Sequence, residues 1–255
     1  MHHTNWRSCS VLFDVFIEII QRLHPIEQNN ATIASWWHDL LEIYYSNEYK
    51  INKTYKENLL NSFKQSFSKG YGIETDIHAT KDNKFVCFHD FTLKRIFKKR
   101  ESIKNLNYQK LKEISIKYKK PIPLLQDLLK ISKNKFFLFI EIKPKFSTKL
   151  LKKLIKETSK YSKCVFISFK HQNIYNLLKL NKKTKVGLSF SPPTTIKSIA
   201  KKSKIKNVDC LILDKSYIKN KKIQGLKIKK YFYTIKNKTE FIKYNKKNNL
   251  IFENL

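Results

Sequence analysis

The sequence predicts an α/β protein, a (β/α)8 TIM barrel with a short β excursion after the second strand. From about residue 50 onward, apolar runs of strand length alternate with lysine-rich stretches of helical periodicity. Strands that alternate with helices imply parallel pairing through right-handed crossovers. The length agrees, because 255 residues fit one large α/β barrel without division.

Taken in order, Leu59, Leu60, Phe63 and Phe67 lie at helical spacing, and Gly70 is placed to end that helix. "GIETDI" (72–77) reads as a strand, "KDNK" as a turn and "FVCFHD" (85–90) as a second extended run. Ile122 to Ile131 suggests a helix opened by Pro123, and "FFLFIEIK" (136–143) is a buried strand by its length and apolar run. Further strands fall at "CVFISF" (164–169), "KVGLSF" (185–190), "VDCLIL" (208–213), "YFYTI" (231–235) and "LIFEN" (250–254). With "FVCFHD" set aside as the excursion, seven barrel strands result. The eighth must precede the helix at 57–69, and "EIYYS" (42–46) is the best candidate.

Charge divides the chain. Residues 1–48 hold two arginines and no lysine against six acids, whereas 49–255 carry 51 bases and 14 acids. This step marks 1–48 as an N-terminal extension, helical around Phe13, Phe16, Ile17 and Ile20, with the first barrel strand at its end. The barrel itself is expected over 49–255.

A formal net charge of +33 points to an anionic partner: nucleic acid, an anionic membrane surface or an anionic substrate. Only Arg7, Arg22, Arg95 and Arg100 are arginines, and the lysines spread over nearly every segment. Guanidinium is the group suited to bidentate base and phosphate contacts, so a dedicated nucleic-acid face is disfavoured. Peripheral contact with an anionic membrane stays open.

Cys9, Cys87, Cys164 and Cys210 show no C-x-x-C spacing, which argues against zinc, and most sit in apolar runs as buried thiols would. The apolar run Val11 to Ile20 is interrupted by Asp14 and Glu18, so it reads as neither a membrane span nor a signal peptide. A cytoplasmic protein is the expectation.

The chemistry concentrates in "GYGIETDIHATKDNKFVCFHD" (70–90). Alternation along a strand puts Glu74, Asp76 and His78 on one face, and Glu141 shares a face with Lys143 on "FIEIK". Carboxylates at the C-terminal ends of barrel strands point into the mouth, where active sites lie. Three of them converging from two strands make a hard-oxygen site for Mg²⁺ or Ca²⁺. Among the other polar residues, Asp82 is a turn residue, His171 a capping or surface residue, and Asp90 is placed to orient the loop after His89. Trp36 and Trp37 suit the barrel floor.

"GYGIETDIHATKDNKFVCFHDFTLKRIF" is similar to the core motif of the glycerophosphodiester phosphodiesterase family: a Gly, E-x-D, a turn, then a strand ending in H-D and "TL-x-R". "ENLLNSF" (57–63) resembles the family's E-N-[ST]-x-x-A-F segment, and "PIPLLQDLL" (121–129) its I-P-T-L-x-E-x-L. "FIEIK" (139–143), "ISF" (167–169), "FYTI" (232–235) and "IFEN" follow in the family's order, so the resemblance spans about 50–255. It implies a metal-dependent hydrolase on a (β/α)8 barrel that cleaves a small-molecule glycerophosphodiester to glycerol 3-phosphate and an alcohol. By position Glu74, Asp76 and Glu141 would hold the divalent cation, His89 would be one of two catalytic imidazoles, and Lys143 would contact the phosphate.

The family carries H-R-G at the end of its first barrel strand, supplying the second imidazole and a phosphate-binding arginine. No H-R-G occurs here; its place falls near Asn47 to Tyr49. Either the first strand has been replaced, or another histidine substitutes, with His38 the nearest upstream and His78 a weaker candidate, or the strand works through another group. The alternative reading is therefore a catalytically impaired relative that binds anionic lipid headgroups or phosphodiesters without turnover.

Overall fold

The structure, a computed structural model, describes residues 57–253. The helix expected near Phe13 to Ile20, the strand at 42–46, His38, the place of H-R-G and the boundary at residue 48 lie outside the described residues.

The first helix among the described residues, Leu60–Ser68, ends as the sequence requires. Gly70 takes φ 81°, a left-handed conformation open to glycine without a Cβ clash. The Tyr71 amide then donates to the Ser66 carbonyl at 2.9 Å and turns the chain into the sheet.

Among the described residues eight strands form one sheet: β1 (Ile73–Ala79), β2 (Phe85–Cys87), β3 (Leu138–Ile142), β4 (Cys164–Ser168), β5 (Val186–Phe190), β6 (Cys210–Asp214), β7 (Lys229–Ile235) and β8 (Asn249–Phe252). Their order is β2-β1-β3-β4-β5-β6-β7-β8. Seven run parallel in chain order, and β2 folds back antiparallel on β1, pairing His78 with Val86. The excursion expected after "GIETDI" is this hairpin. The sheet curls, and the Tyr71 ring, just before β1, packs edge-on against Phe252 of β8 at 5.4 Å. Sequential parallel strands, crossover helices and curl make this a (β/α)8 architecture.

Alternation sorts the side chains into two layers. Ile73, Ile77, Leu138, Ile140, Ile142, Phe166, Val186, Leu188, Leu211 and Leu213 face outward and pack with Leu128, Leu151, Leu154, Ile174 and Leu177 of the helices. Burying each such side chain contributes about 1.5–3 kcal/mol. Phe139, Val165, Ile167, Cys210 and Ile212 form a separate interior cluster, flanked by Tyr231, Tyr233 and Ile251. The interior is closely filled at Gly187, where a Cβ would lie 2.7 Å from the Cys210 Sγ and 3.1 Å from the Ile167 side chain.

The helix expected from Pro123 starts later, at Leu125, and runs to Ser132. Pro123 and Leu124 stay extended because β2 uses them. The Cys87 amide donates to the Pro123 carbonyl at 2.9 Å, Val86 bridges to Leu124, and Asp127 caps the helix by accepting from the Leu124 amide at 3.1 Å. Cys87, Cys164 and Cys210 are buried, and burial pushes each thiol up to about 12, so none is poised to react. Among the described residues no helix is long and apolar enough to cross a membrane.

Candidate metal and phosphodiester site

Glu74 and Asp76 project from β1 and Glu141 from β3, the neighbouring parallel strand, with Asp76 in register with Glu141. Each offers a carboxylate oxygen, and these oxygens all lie within 4.8 Å of one another. Lys143, just past β3, joins them: its Nζ lies 2.7 Å from the Asp76 Oδ1 and 3.0 Å from the Glu141 Oε1. Three carboxylates thus share one ammonium, a formal deficit of two positive charges in a largely buried place.

The deficit shows in the titration of the groups. Burial, followed by Asp76 and Glu141, holds Glu74 well above the usual carboxylate range, against the pull of Lys143. Burial also raises Glu141, with Asp76 adding to it and Lys143 opposing. Burial works against the charge on Lys143, but Asp76 and Glu141 outweigh it and keep the ammonium protonated beyond its ordinary range. A hard oxygen donor set lacking two positive charges fits a divalent cation of the Mg²⁺ or Ca²⁺ class.

Asn58, a residue to which sequence reasoning gave no role, braces this set. It takes φ 55°, and its side-chain Nδ2 donates to the Asp76 Oδ2 at 3.1 Å. Its Oδ1 accepts from the Thr75 hydroxyl at 2.6 Å. The signal was present in "EN" at the head of the first motif. The neighbouring Glu57 is the far end of a second network, in which it pairs with Arg95. Arg95 also grips Asp90, with its Nε 2.6 Å from Oδ2 and its Nη2 3.0 Å from Oδ1. Asp90 in turn holds the His89 Nδ1 at 2.7 Å. Asp90 is partly buried, yet hydrogen bonds from Arg95 and His89 keep its carboxyl below the usual range. The "H-D…R" spacing is therefore an imidazole fixed by a carboxylate that is itself fixed by a guanidinium. His89 stays half-exposed, with Nε2 on the side away from Asp90.

His78 is placed differently from its neighbours on β1. It is buried, its ring is packed edge-on by Phe91 at 5.1 Å, and its Nε2 lies 3.3 Å from the His89 carbonyl. Burial pushes its pKa down to about 4, which leaves a neutral ring that braces the loop. His171 opens the helix His171–Leu180 as expected, and it also spans to β5 through a 2.9 Å contact between its Nε2 and the Ser189 carbonyl. Asp82 serves the turn, accepting from Thr80 and from the Tyr108 amide.

Comparison with known proteins agrees with this geometry. The sequence model of the Glycerophosphoryl diester phosphodiesterase family matches residues 50–251. A glycerophosphodiester phosphodiesterase of Caldanaerobacter subterraneus subsp. tengcongensis is 29% identical over 154 residues. That alignment takes in 54% of this chain and 63% of the relative, less than two thirds of its length. Among solved structures, a glycerophosphodiester phosphodiesterase from Thermotoga maritima superposes with a TM-score of 0.68 at 20% identity, over 78% of this chain and 89% of that one. A phosphodiesterase from Oleispira antarctica, solved with the product sn-glycerol-3-phosphate, gives a TM-score of 0.65 at 19% identity, over 76% and 86% of the two chains. At these identities the structures speak for a shared fold, whereas the family match covers most of the sequence. The chain belongs to the glycerophosphoryl diester phosphodiesterase family.

Proposed function

We propose that this chain hydrolyses glycerophosphodiesters to glycerol 3-phosphate and an alcohol, with a divalent cation held by Glu74, Asp76 and Glu141. The observation that carries the reading is the convergence of three carboxylates on one ammonium beside an exposed, carboxylate-oriented imidazole. The product bound to the Oleispira antarctica structure supports the same substrate class.

When bound, the cation supplies polarisation of the phosphoryl oxygens and offsets charge that builds up in the transition state. Lys143 has a second use in that setting. With the carboxylates neutralised, its Nζ is released in part to meet a phosphate oxygen, and its rooting in β3 keeps it within reach of the same point. His89 moves the proton at its Nε2, giving it to the leaving oxygen or taking it from the attacking water. Asp90 and Arg95 are positioning residues: they fix the tautomer with hydrogen on Nδ1 and stabilise the imidazolium once it forms. The second imidazole that the resemblance implies, with His38 the nearest upstream candidate, lies outside the described residues. A cytoplasmic setting and a role in phospholipid turnover belong to the same proposal.

The test is release of glycerol 3-phosphate from glycerophosphocholine and glycerophosphoethanolamine by purified protein with added Mg²⁺ or Ca²⁺. Chelation, Glu74→Ala and His89→Ala are each expected to abolish it. Turnover that survives both substitutions removes the site assignment, and binding of the diester without turnover in the unaltered protein returns the impaired-relative reading.

A further inference from the structure

The mouth of the barrel carries an apolar rim that the proposed hydrolysis does not use. Phe169 directly follows β4 and is 41% exposed; Phe91 follows the excursion strand and is 52% exposed. Lys170 links them: it is next to Phe169 in sequence, and its Nζ stands 5.8 Å from the centre of the Phe91 ring. Behind Phe169 the Tyr233 ring continues the surface edge-on at 5.8 Å. Two large phenyl groups exposed at the open end of a barrel and linked through Lys170 remain costly in water.

The charge of the loop beside this rim is mostly positive, with Glu101 the exposed acid among its bases. The loop after Phe91 carries Lys94, Lys98, Lys99 and Arg100, half-buried to exposed, and returns to Phe91 through the Ile103 amide, which donates to the Phe91 carbonyl at 3.2 Å. Lys145, past β3, is exposed as well. The nearby acid Asp90 is already neutralised by Arg95 and His89. Exposed aromatic rings amid unpaired cations complement an interface that is apolar within and anionic at its surface.

We propose that the rim of Phe91, Lys170 and Phe169 docks the barrel mouth onto an anionic lipid membrane. The two rings enter the headgroup region while the lysines meet lipid phosphates. The other exposed phenylalanine among the described residues, Phe137, lies at the opposite end of the sheet, just before β3, and its ring is bracketed by Lys163 and Lys185 at 5.4 and 5.9 Å. It is a single ring with cations on it, and it does not continue into a second one. Docking by the mouth also faces Glu74, Asp76, Glu141 and His89 toward the lipid headgroups, at the surface where deacylated headgroup diesters are released. That consequence rests on the proposed hydrolysis; the docking does not.

The test is co-sedimentation of the full chain with phosphatidylcholine vesicles with and without phosphatidylglycerol, at low and high salt. The full chain is expected to bind the anionic vesicles, and to lose binding when phosphatidylglycerol is left out or salt is raised. Phe91→Ala with Phe169→Ala is expected to weaken binding at least about tenfold. Lys170→Glu, an exposed change with little effect on folding, weakens it independently, whereas Phe137→Ala leaves it intact. Binding unchanged in both rim variants, or lost in Phe137→Ala instead, overturns the proposal. So does no binding by the unaltered chain. Turnover of soluble glycerophosphocholine, measured in parallel, tests the hydrolytic reading separately, and its absence leaves the vesicle result standing by itself.

Discussion

The inward faces of β1 and β3 and those of β4 and β6 obey the same two-residue alternation, yet hold opposite chemistry. On one side stand Glu74, Asp76, His78, Glu141 and Lys143; on the other, Val165, Ile167, Cys210 and Ile212 close a small apolar cluster. The outward faces of the four strands are apolar except at Thr75 and Ser168, whose hydroxyls donate to Asn58 and to the Ile142 carbonyl. Strand geometry therefore decides which side chains look inward, and only the availability of partners decides whether a charge survives there. Glu141 has the Lys143 Nζ at 3.0 Å to offset its burial; Ile167, its register partner on β4, is apolar and 1% exposed.

The contrast is sharpest in activity. Asp76→Ala removes both a proposed cation ligand and the partner of Lys143 and Asn58. It is expected to lower kcat/KM for glycerophosphocholine by about a thousandfold or more. Phe91→Ala on the rim leaves soluble-substrate turnover within a few-fold of the unaltered chain. Equal losses in the two variants would erase the distinction between site and rim.

Next comes a substitution that carries the chemistry of one side onto the other. Ile167→Glu puts a further carboxylate beside Glu141, its register partner, where the one ammonium is already shared with Asp76, and it is expected to cost about 3–5 kcal/mol in urea unfolding. A drop below 1 kcal/mol, estimated on the same scale, would mean that the apolar side tolerates charge and that its composition carries no physical information.

The two sides also differ in how well they could be read from the sequence. The strands were legible because parallel strands buried on both faces are long apolar runs, and the acids stood out against such runs. Glu74, Asp76 and Glu141 were visible as a set for that reason, and the structure brings them together. What spacing could not show was the bracing. Asn58 and Glu57 reach Asp76 and Arg95 across 18 and 38 residues of sequence, through a loop conformation with φ 55° at Asn58. The start of the helix after Pro123 was misplaced for a related reason. Proline at a helix start and proline beside a strand edge look alike until the pairing of Cys87 with Pro123 is known. His78 read as a mouth residue by alternation, and only the packing of Phe91 shows that it is covered.

His78 on β1 and His171, at the head of the helix after β4, are imidazoles that acid should separate. His78 and His171 both direct Nε2 at a backbone carbonyl, of His89 and Ser189 respectively. Burial lowers both, His78 to about 4, and Lys202 adds to the effect on His171. A histidine whose folded pKa is depressed contributes stability that is whole above its unfolded value of 6.5 and is lost as pH falls through the folded one. The urea midpoint is therefore expected to fall between pH 6.5 and about 4. At about 1.4 kcal/mol per unit, His78 accounts for about 3 kcal/mol of that loss. His78→Gln should flatten this acid limb more than His171→Gln does. An equal effect, or a larger one from His171→Gln, reverses the ranking of the two imidazoles.

The smallest effect is the one that separates stability from function most directly. Without a cation, Glu74, Asp76 and Glu141 repel one another around a single ammonium, and burial keeps Glu74 from ionising at its ordinary pH. Glu74→Gln removes the carboxyl whose ionisation this crowding and burial oppose, and it keeps the shape. In chelator at neutral pH the variant is expected to be more stable than the unaltered chain by about 1 kcal/mol, a rise in Tm of roughly 2–4 °C. Added Mg²⁺ or Ca²⁺ should reverse the order: the unaltered chain gains stability in proportion to ln(1 + [L]/Kd), and the variant gains little. A crossing of the two thermal curves on metal addition would identify the crowded acids as a site strained in favour of its ligand. Parallel curves would identify them as a structural network that Lys143 alone is sufficient to hold.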